Sequence, residues 1–435
     1  MFKLLKDGFK VKDIRNKIFF TLFVLLAFRI GAHITVPGVD ARALAQLSDN
    51  PLFNMLNTVS GSAMERFSLF AMGVSPYITS SIVIQLLQMD IVPKFVEWSK
   101  QGEVGRRKLN QATRYLTLVL GFAQSIAITA GFNQFAGSGF DFVKKPDMAT
   151  FMTIGLILTA GTMFVTWMGE QISEKGIGNG VSMIIFAGII SRLPSGIKGL
   201  YEDYFININP ADIWKSVIFV IGLIVAVILI VTFVTYVQQA ERKIPIQYTK
   251  RVAGAPQSSY LPLKVNAAGV IPVIFASSLI STPSTIMQVF AATKGEETWF
   301  KVMSQLFNYS TLPGGILYVT LIIAFTFFYA FVQVNPEKVA ENLQKQGSYI
   351  PSVRPGKGTE DYISALLLRL SSVGSIFLAL VAILPVIATA VFPKLPASIG
   401  LGGTSLLIAI GVALETTKQL EGLLMKRQYT GFIVK

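Results

Sequence analysis

The sequence predicts an all-α polytopic membrane protein, with ten transmembrane helices in two pseudo-symmetric inverted halves of five. Three observations carry this reading. Of the 435 residues, 52% are hydrophobic and only 14% are charged, where a soluble domain carries about 25% charge; mean hydropathy is +0.57. Ten apolar segments are spaced along the chain, several of them long enough for the roughly 20 residues that a helical crossing needs. Finally, Ala71-Met-Gly-Val-Ser-Pro-Tyr-Ile-Thr-Ser-Ser81 is echoed by Ala267-Ala-Gly-Val-Ile-Pro-Val-Ile-Phe-Ala-Ser277. Both read A-x-G-V-x-P-x-I-x-x-S and both open an apolar run, as expected of a membrane protein built from two related halves with its working site between them.

Residues 1–17 carry six Lys or Arg ahead of the first apolar segment, 18–36. No small-residue cleavage pattern follows that segment, so it reads as a first span and not as a secretory signal. Residues 37–66 form an external excursion in which Ser62 and Glu65 have capping-box spacing, so a short helix is expected to begin near Ser62. Nonhelical backbone around Gly61 needs protein or a water-filled cavity to shelter it at membrane depth. The second span is 67–89, followed by a loop, 90–114, with six basic residues including Arg106-Arg107-Lys108. Spans three and four lie at 115–132 and 149–168; the fifth, 180–193, is short and is expected to sit inside the bundle beside water. The remaining spans fall at 213–237, 265–290, 312–332, 366–392 and 402–417.

Charge orients the set. The segment 238–264 has five basic residues and one acidic, and the tail carries Lys418, Lys426, Arg427 and Lys435, whereas 133–148, 194–212 and 291–311 are nearly balanced. Ten crossings put the basic regions on one side, so both termini are expected in the cytoplasm. Five spans per half is an odd number, which turns the second half over relative to the first. The long repeat opens spans two and seven, and a second echo pairs Gly180-Val-Ser-Met-Ile-Ile185 in span five with Gly403-Thr-Ser-Leu-Leu-Ile408 in span ten. The halves are therefore drawn as 1–200 and 201–435.

Several chemistries are missing. Cys is absent and His33, read as an interfacial residue, is the only histidine, so thiol catalysis and His or Cys metal clusters are excluded. No phosphate loop, metal constellation or nucleophile triad is present, and the chain is read as no enzyme, with no cofactor. Arg29, Glu170 and Glu415 lie near span ends, leaving the span interiors almost free of charge; an ion-coupled carrier keeps an ionisable residue there. The interiors offer Gln85, Gln124 and many Ser and Thr, which commonly serve helix packing. An apolar interior without coupling charge suits a gated pore, which branched side chains can narrow until it dewets. Ile78 and Ile274 occupy equivalent repeat positions, as do Ile185 and Ile408, so these four are the pore-lining candidates. A carrier with an inverted repeat is the second reading, and a membrane scaffold such as a lipid scramblase the third.

The net charge of +14 points to anionic lipid or an acidic partner. The cytoplasmic loops 238–264 and 333–365 hold Glu241-Arg-Lys-Ile-Pro, Lys250-Arg251 and Ile350-Pro-Ser-Val-Arg354-Pro-Gly356. Pro355 and Gly356 shape a turn that can hold Arg354 outward, and an arginine fork on a stiff tip suits a carboxylate or phosphate partner.

Further motifs, in order, are Arg29-Ile-Gly, Val36-Pro-Gly38, Met72-Gly-Val-Ser-Pro-Tyr-Ile78, Gly176-Ile-Gly-Asn-Gly180, Leu261-Pro-Leu-Lys-Val-Asn266, Gly269-Val-Ile-Pro272, Asn335-Pro-Glu337, Arg354-Pro-Gly356 and Gly402-Gly-Thr-Ser-Leu-Leu-Ile408. In this order, across nearly the whole chain, they resemble the SecY family of protein-translocation channel subunits, above all its Gram-positive, Bacillus-like members. The resemblance implies a central pore-forming subunit of the plasma-membrane translocase, passing unfolded preproteins and releasing membrane-protein helices sideways into lipid. It implies an aliphatic pore ring at Val74, Ile78, Val181, Ile185, Ile274 and Ile408, where the family often has Ile at the two Val positions. It implies a plug from about 57 to 70, including Asn57, Gly61, Ser62, Glu65, Arg66 and Phe67. A lateral gate for signal sequences would lie between spans two and three and spans seven and eight, with Gln85, Gln124 and Asn266 as polar contacts. Arg242, Lys243, Lys250, Arg251, Arg354, Pro355 and Gly356 would dock the SecA ATPase or a translating ribosome. Companion subunits SecE and SecG are implied too. Two departures stand out: Ser352 replaces a common glycine, and no basic residue lies between Arg251 and Lys264.

Overall fold

The computed structural model describes residues 2–40, 44, 63–89, 91–136, 142–144, 146–206, 213–248, 258–294, 297–308, 311–391 and 403–431. The N-terminal elements are α1 (Phe2–Lys10), α2 (Lys12–Gly31), α3 (Ser75–Leu87), α4 (Pro93–Lys100), α5 (Gly102–Ala136), α6 (Met148–Lys175) and α7 (Gly180–Tyr201). There follow α8 (Ile213–Gln239), β1 (Glu241–Tyr248), β2 (Ser258–Lys264), α9 (Ile271–Lys294) and α10 (Thr298–Leu306). The chain continues through α11 (Leu312–Gln333), α12 (Pro336–Lys345), β3 (Ser348–Tyr349), α13 (Lys357–Val391) and α14 (Gly403–Gly431). Each of the ten apolar segments carries one of these helices. Among the described residues, six helical stretches are long and apolar enough to cross a membrane on length and composition: α5, α6, α7 with the π-turn after it, α8, α11 running on through α12, and α13.

The two sequence echoes are also echoes of backbone. Gly73 and Gly269 both take left-handed φ values, +54° and +66°, which a residue with a Cβ adopts at a cost. Each is followed by a helix that begins two residues later with proline in its first turn, Pro76 in α3 and Pro272 in α9. Proline fits there because the first-turn N–H groups have no intrahelical acceptor. Likewise α7 starts at Gly180 and α14 at Gly403, so Ile185 and Ile408 stand at the same helical position.

Three expectations are corrected. Span five is not short: α7 runs 22 residues and passes into a π-turn, Glu202–Ile206. Its apolar run stops at Arg192 and Pro194, but Arg192 pairs with Glu65 at 3.6 Å, and a paired charge does not end a helix. No helix begins within 63–74; Met64–Phe67 is a turn closed by Phe67 N–H donating to Met64 O at 2.9 Å, with Phe67 at φ +42°. Extended pairing to the end of span one overrides the capping signal, through Val36 N–H to Phe67 O at 3.0 Å and Leu69 N–H to Ile34 O at 2.9 Å.

The third correction concerns the segments 238–264 and 333–365, read as loops, whose described residues form a three-stranded antiparallel sheet in the order β2-β1-β3. Alternation in β1 buries Ile244 and Ile246 on one face. These pack with Leu263, Leu343, Ile350, Ile363 and Leu367, so the two loops share one small core. Pairing of Gln247 with Tyr349 and Tyr248 with Ser348 joins them.

Candidate functional site

The residue before α3, together with α3, α7, α9 and α14, brings the expected ring residues into one apolar cluster. Val74, Ile78, Ile185, Ile274 and Ile408 are buried, and the half-buried Val181 packs against them. Positions 181 and 185 are one turn apart on α7 and present two branched side chains on a single helix face, while Val74 is the N-cap residue of α3, whose C=O accepts from Ile78 N–H at 3.0 Å. Val270, the repeat partner of Val74, lies in the same cluster. Sequence reasoning passed over it, although the equivalence that selected Ile274 points to it as well.

The segment 63–74 bridges this cluster and a second one. Ala63 and Phe70 pack with the ring cluster, while Met64 and Phe67 belong to a cluster with Phe132 and Phe142. Phe67 is fully buried and meets the edge of Phe142 at a ring separation of 5.0 Å. Glu65 reaches Arg192, and Arg66 is exposed. Gly31 lets the Phe70 ring lie directly against α2, where a Cβ would overlap it. Asn57, Gly61 and Ser62 lie outside the described residues.

A polar seam runs between α3, α5 and α9. Gln124 Nε2 donates to Thr282 Oγ1 at 3.1 Å, and Thr79 Oγ1 lies 3.4 Å from the same oxygen. Thr282 in turn donates to Ser278 O on its own helix at 2.9 Å. Beside the seam is a cavity of about 10 Å³ bounded by Met64, Met72, Ser75, Gln124, Thr282 and Thr285. Of the three expected gate residues, Gln124 crosses the seam. Gln85 donates instead to Ser81 on α3 at 3.1 Å, and Asn266 Nδ2 donates to Gly269 O at 2.9 Å, closing the turn ahead of α9. Thr79 and Thr282 were not singled out, since one threonine in a Ser/Thr-rich helix carries no distinguishing pattern.

On the sheet side, Arg242 and Lys243 are exposed on β1, with Lys243 3.9 Å from Glu241. Lys250 and Arg251 fall outside the described residues. Arg354 and Pro355 are exposed on a turn shaped by Ser352 at φ +65° and Gly356 at φ +86°. Thr359 Oγ1 donates to Arg354 O at 3.0 Å, which ties the tip to the start of α13. On α12, the hydrogen bond from Lys345 holds the exposed Glu341 carboxyl below the usual carboxylate range.

With this geometry in view, the comparisons with known proteins are decisive. The SecY family profile matches residues 68–417. The chain is 61% identical over 433 residues to protein translocase subunit SecY 1 of Lactobacillus kefiranofaciens subsp. kefiranofaciens, covering 100% of both chains. The chain belongs to the SecY family. It is 53% identical over 437 residues to protein translocase subunit SecY of Bacillus subtilis (strain 168), again over 100% of both chains. These identities place it among Gram-positive SecY proteins. Solved structures share its fold at low identity. A SecY structure addressing how the plug domain stabilises the closed channel matches with a TM-score of 0.65 and 18% identity, over 93% of this chain and 91% of that one. A structure described as a protein-conducting channel gives 0.63 over the same shares, also at 18% identity. A multi-pass SecY-family membrane protein with a large buried apolar cluster follows.

Proposed function

We propose that this chain is the central pore-forming subunit of the plasma-membrane protein translocase and that the aliphatic cluster is its seal. The observation that carries the reading is that the repeat-equivalent side chains Ile78 and Ile274, and Ile185 and Ile408, all belong to one buried apolar cluster. Ten crossings in two inverted halves, 1–200 and 201–435, account for this: a pseudo-twofold axis in the membrane plane brings equivalent positions together. Val74 and Val181 complete the ring. A collar of branched apolar side chains touches any polypeptide without holding it, and on closing it dewets and blocks ions.

The segment from about 57 to 70 is the plug, with Phe67 anchoring its described end. The seam at Thr79, Gln124 and Thr282 is the closed lateral gate, which a hydrophobic signal helix parts; Gln85 and Asn266 flank it. The basic sheet and the Arg354 tip, with Lys250 and Arg251, dock SecA or a ribosome, which supply the energy. SecE, SecG and anionic lipid complete the assembly.

Crosslinking during arrested secretion tests the path. The chain has no Cys, so single cysteines at 78, 185, 274 and 408 report cleanly against lipid-facing controls. Each is expected to crosslink to a cysteine-bearing preprotein stalled in transit. Absence of crosslinks at all four, with translocation verified and the thiols accessible, places the path elsewhere.

A further inference from the structure

The short helix α10, Thr298–Leu306, has no part in the ring, plug, seam or sheet, yet it carries an apolar stripe that the protein itself does not cover. Trp299, Val302, Met303 and Leu306 follow the i, i+3, i+4, i+7 spacing that puts side chains on one helix face. In a soluble domain such a stripe would face the core. Here a neighbouring pair does so instead: Phe300 is buried, and Phe307, just past the helix, packs against the large apolar cluster. Trp299, Val302 and Met303 are exposed and Leu306 is half-buried. Thr298, Lys301, Ser304 and Gln305 form the polar remainder, so the single charge of the helix lies away from the exposed stripe.

A tight corner joins this helix to the next. Thr311 caps α11: its Oγ1 accepts from Gly314 N–H at 3.3 Å and donates to Asn308 O at 2.7 Å. A Cβ on Gly314 would overlap Asn308 O and crowd Gln305 O, so the backbone after α10 lies directly on the start of α11. The helix also touches α9. Immediately past the corner the apolar surface resumes on α11, where Leu312 is 83% exposed and Ile316 is exposed too. That helix is long and apolar enough, with α12, to cross a membrane. Trp299 fits the boundary between the two environments: its indole N–H donates to the Glu297 carboxylate while the ring stays open. An aromatic ring with one polar edge is favoured where hydrocarbon meets water.

We infer that α10 is an interfacial helix lying in the membrane surface beside the first turn of α11, with Trp299, Val302, Met303 and Leu306 immersed in lipid. An uncharged stripe offers nothing to a charged partner, and it continues the exposed apolar surface of a membrane-crossing helix. A helix of this pattern binds the bilayer surface through its buried apolar area, with its basic residue on the polar face; Lys301 occupies that place. The connection between α9 and α11 is thereby tied to the lipid surface through the Thr311 and Gly314 corner. The inference rests on α11 being a membrane crossing and does not depend on the pore ring.

The chain has no cysteine of its own, so a nitroxide label can be placed at single sites. Full-length chain, assembled with cysteine-free SecE and SecG in vesicles of phosphatidylethanolamine and phosphatidylglycerol, would carry Lys301→Cys, Val302→Cys, Met303→Cys or, as a control in the span, Ile316→Cys. Collision of each label with oxygen, which concentrates in lipid, and with a water-soluble nickel chelate is read by power saturation. Labels at 302 and 303 are expected to resemble 316, with nickel collision several-fold below that at 301 and oxygen collision above it. Nickel collision at 302 and 303 equal to that at 301 leaves the stripe in water and overturns the inference. Low collision with both reagents means that protein covers the stripe and overturns it as well; the same labels without SecE and SecG then tell a companion's cover from the chain's own. A nickel-accessible label at 316 removes the crossing by α11 and the interfacial helix with it. Failure of the ring crosslinks, by contrast, leaves the expected label pattern as it is.

Discussion

Ser352 holds a left-handed backbone, φ +65°, in the turn that displays Arg354. A side chain in that region costs about 1 kcal/mol that glycine would not pay. Ser352→Gly is therefore expected to steady the tip by up to about 1 kcal/mol, read as slower amide exchange across 350–356; faster exchange would mean that the serine contributes a contact outweighing its strain. At the proposed ring, Ile78 and Ile408 are buried in one apolar cluster. Replacing either by serine puts a hydroxyl without a partner in an apolar collar, at a cost of about 1–3 kcal/mol. Water satisfies that hydroxyl, so Ile78→Ser or Ile408→Ser should raise resting ion conductance in proteoliposomes. Unchanged conductance in both variants argues that the seal lies at another level.

Among the elements, α7 shows how close packing sets the pore. Its first residue, Gly180, faces Gly169 on α6 with no room for a Cβ, and the obstacle is backbone carbonyl, which cannot rotate away. Gly180→Ala must therefore displace α6 or α7, as overpacking does at about 1–3 kcal/mol. The expected result is a lower melting temperature in detergent together with raised ion leak, because Val181 and Ile185 move with the helix. A melting temperature equal to the parent's would show that the two helices can separate freely. The sheet makes a related point. The period-two burial of Ile244 and Ile246 was visible in β1, but its short run was masked by the charge of Glu241, Arg242 and Lys243. Its partner β3 is only two residues long, below what any alternation can reveal.

For the whole molecule, the basic segments predict orientation. Single cysteines near residue 12, at 101 and at 243 should react with a membrane-impermeant maleimide only from the cytoplasmic side, and one at 301 only from outside. Labelling of both groups from the same side would break the ten-crossing topology. The apolar surface is consistent with lipid around the bundle: α8 carries Trp214 at 78% and Tyr236 at 77% exposure near its two ends, with exposed Ile and Val between them. Aromatic residues at the ends of an apolar helix are the pattern of a membrane interface.

The sequence by itself determined the class of protein, the position of each apolar helix and the repeat, and it singled out isoleucines that share one buried apolar cluster. Those features are local or periodic: hydropathy is additive along a window, and two related halves leave the same residues at the same helical positions. The glycine and proline of the repeat even specified its backbone, since left-handed φ and a first-turn proline are properties of single residues. Only the tertiary structure decided which polar side chains cross between helices. Gln85 and Gln124 look alike in sequence, yet Gln85 bonds within α3 while Gln124 reaches Thr282, 158 positions away. Nor could spacing reveal that Gly178 meets Gln419 across 241 positions, or that the capping signal at Ser62 yields to pairing with the end of span one. Contacts of that kind depend on how helices rotate and approach one another, which is set by the packing of the whole bundle and has no signature in the residues that make them.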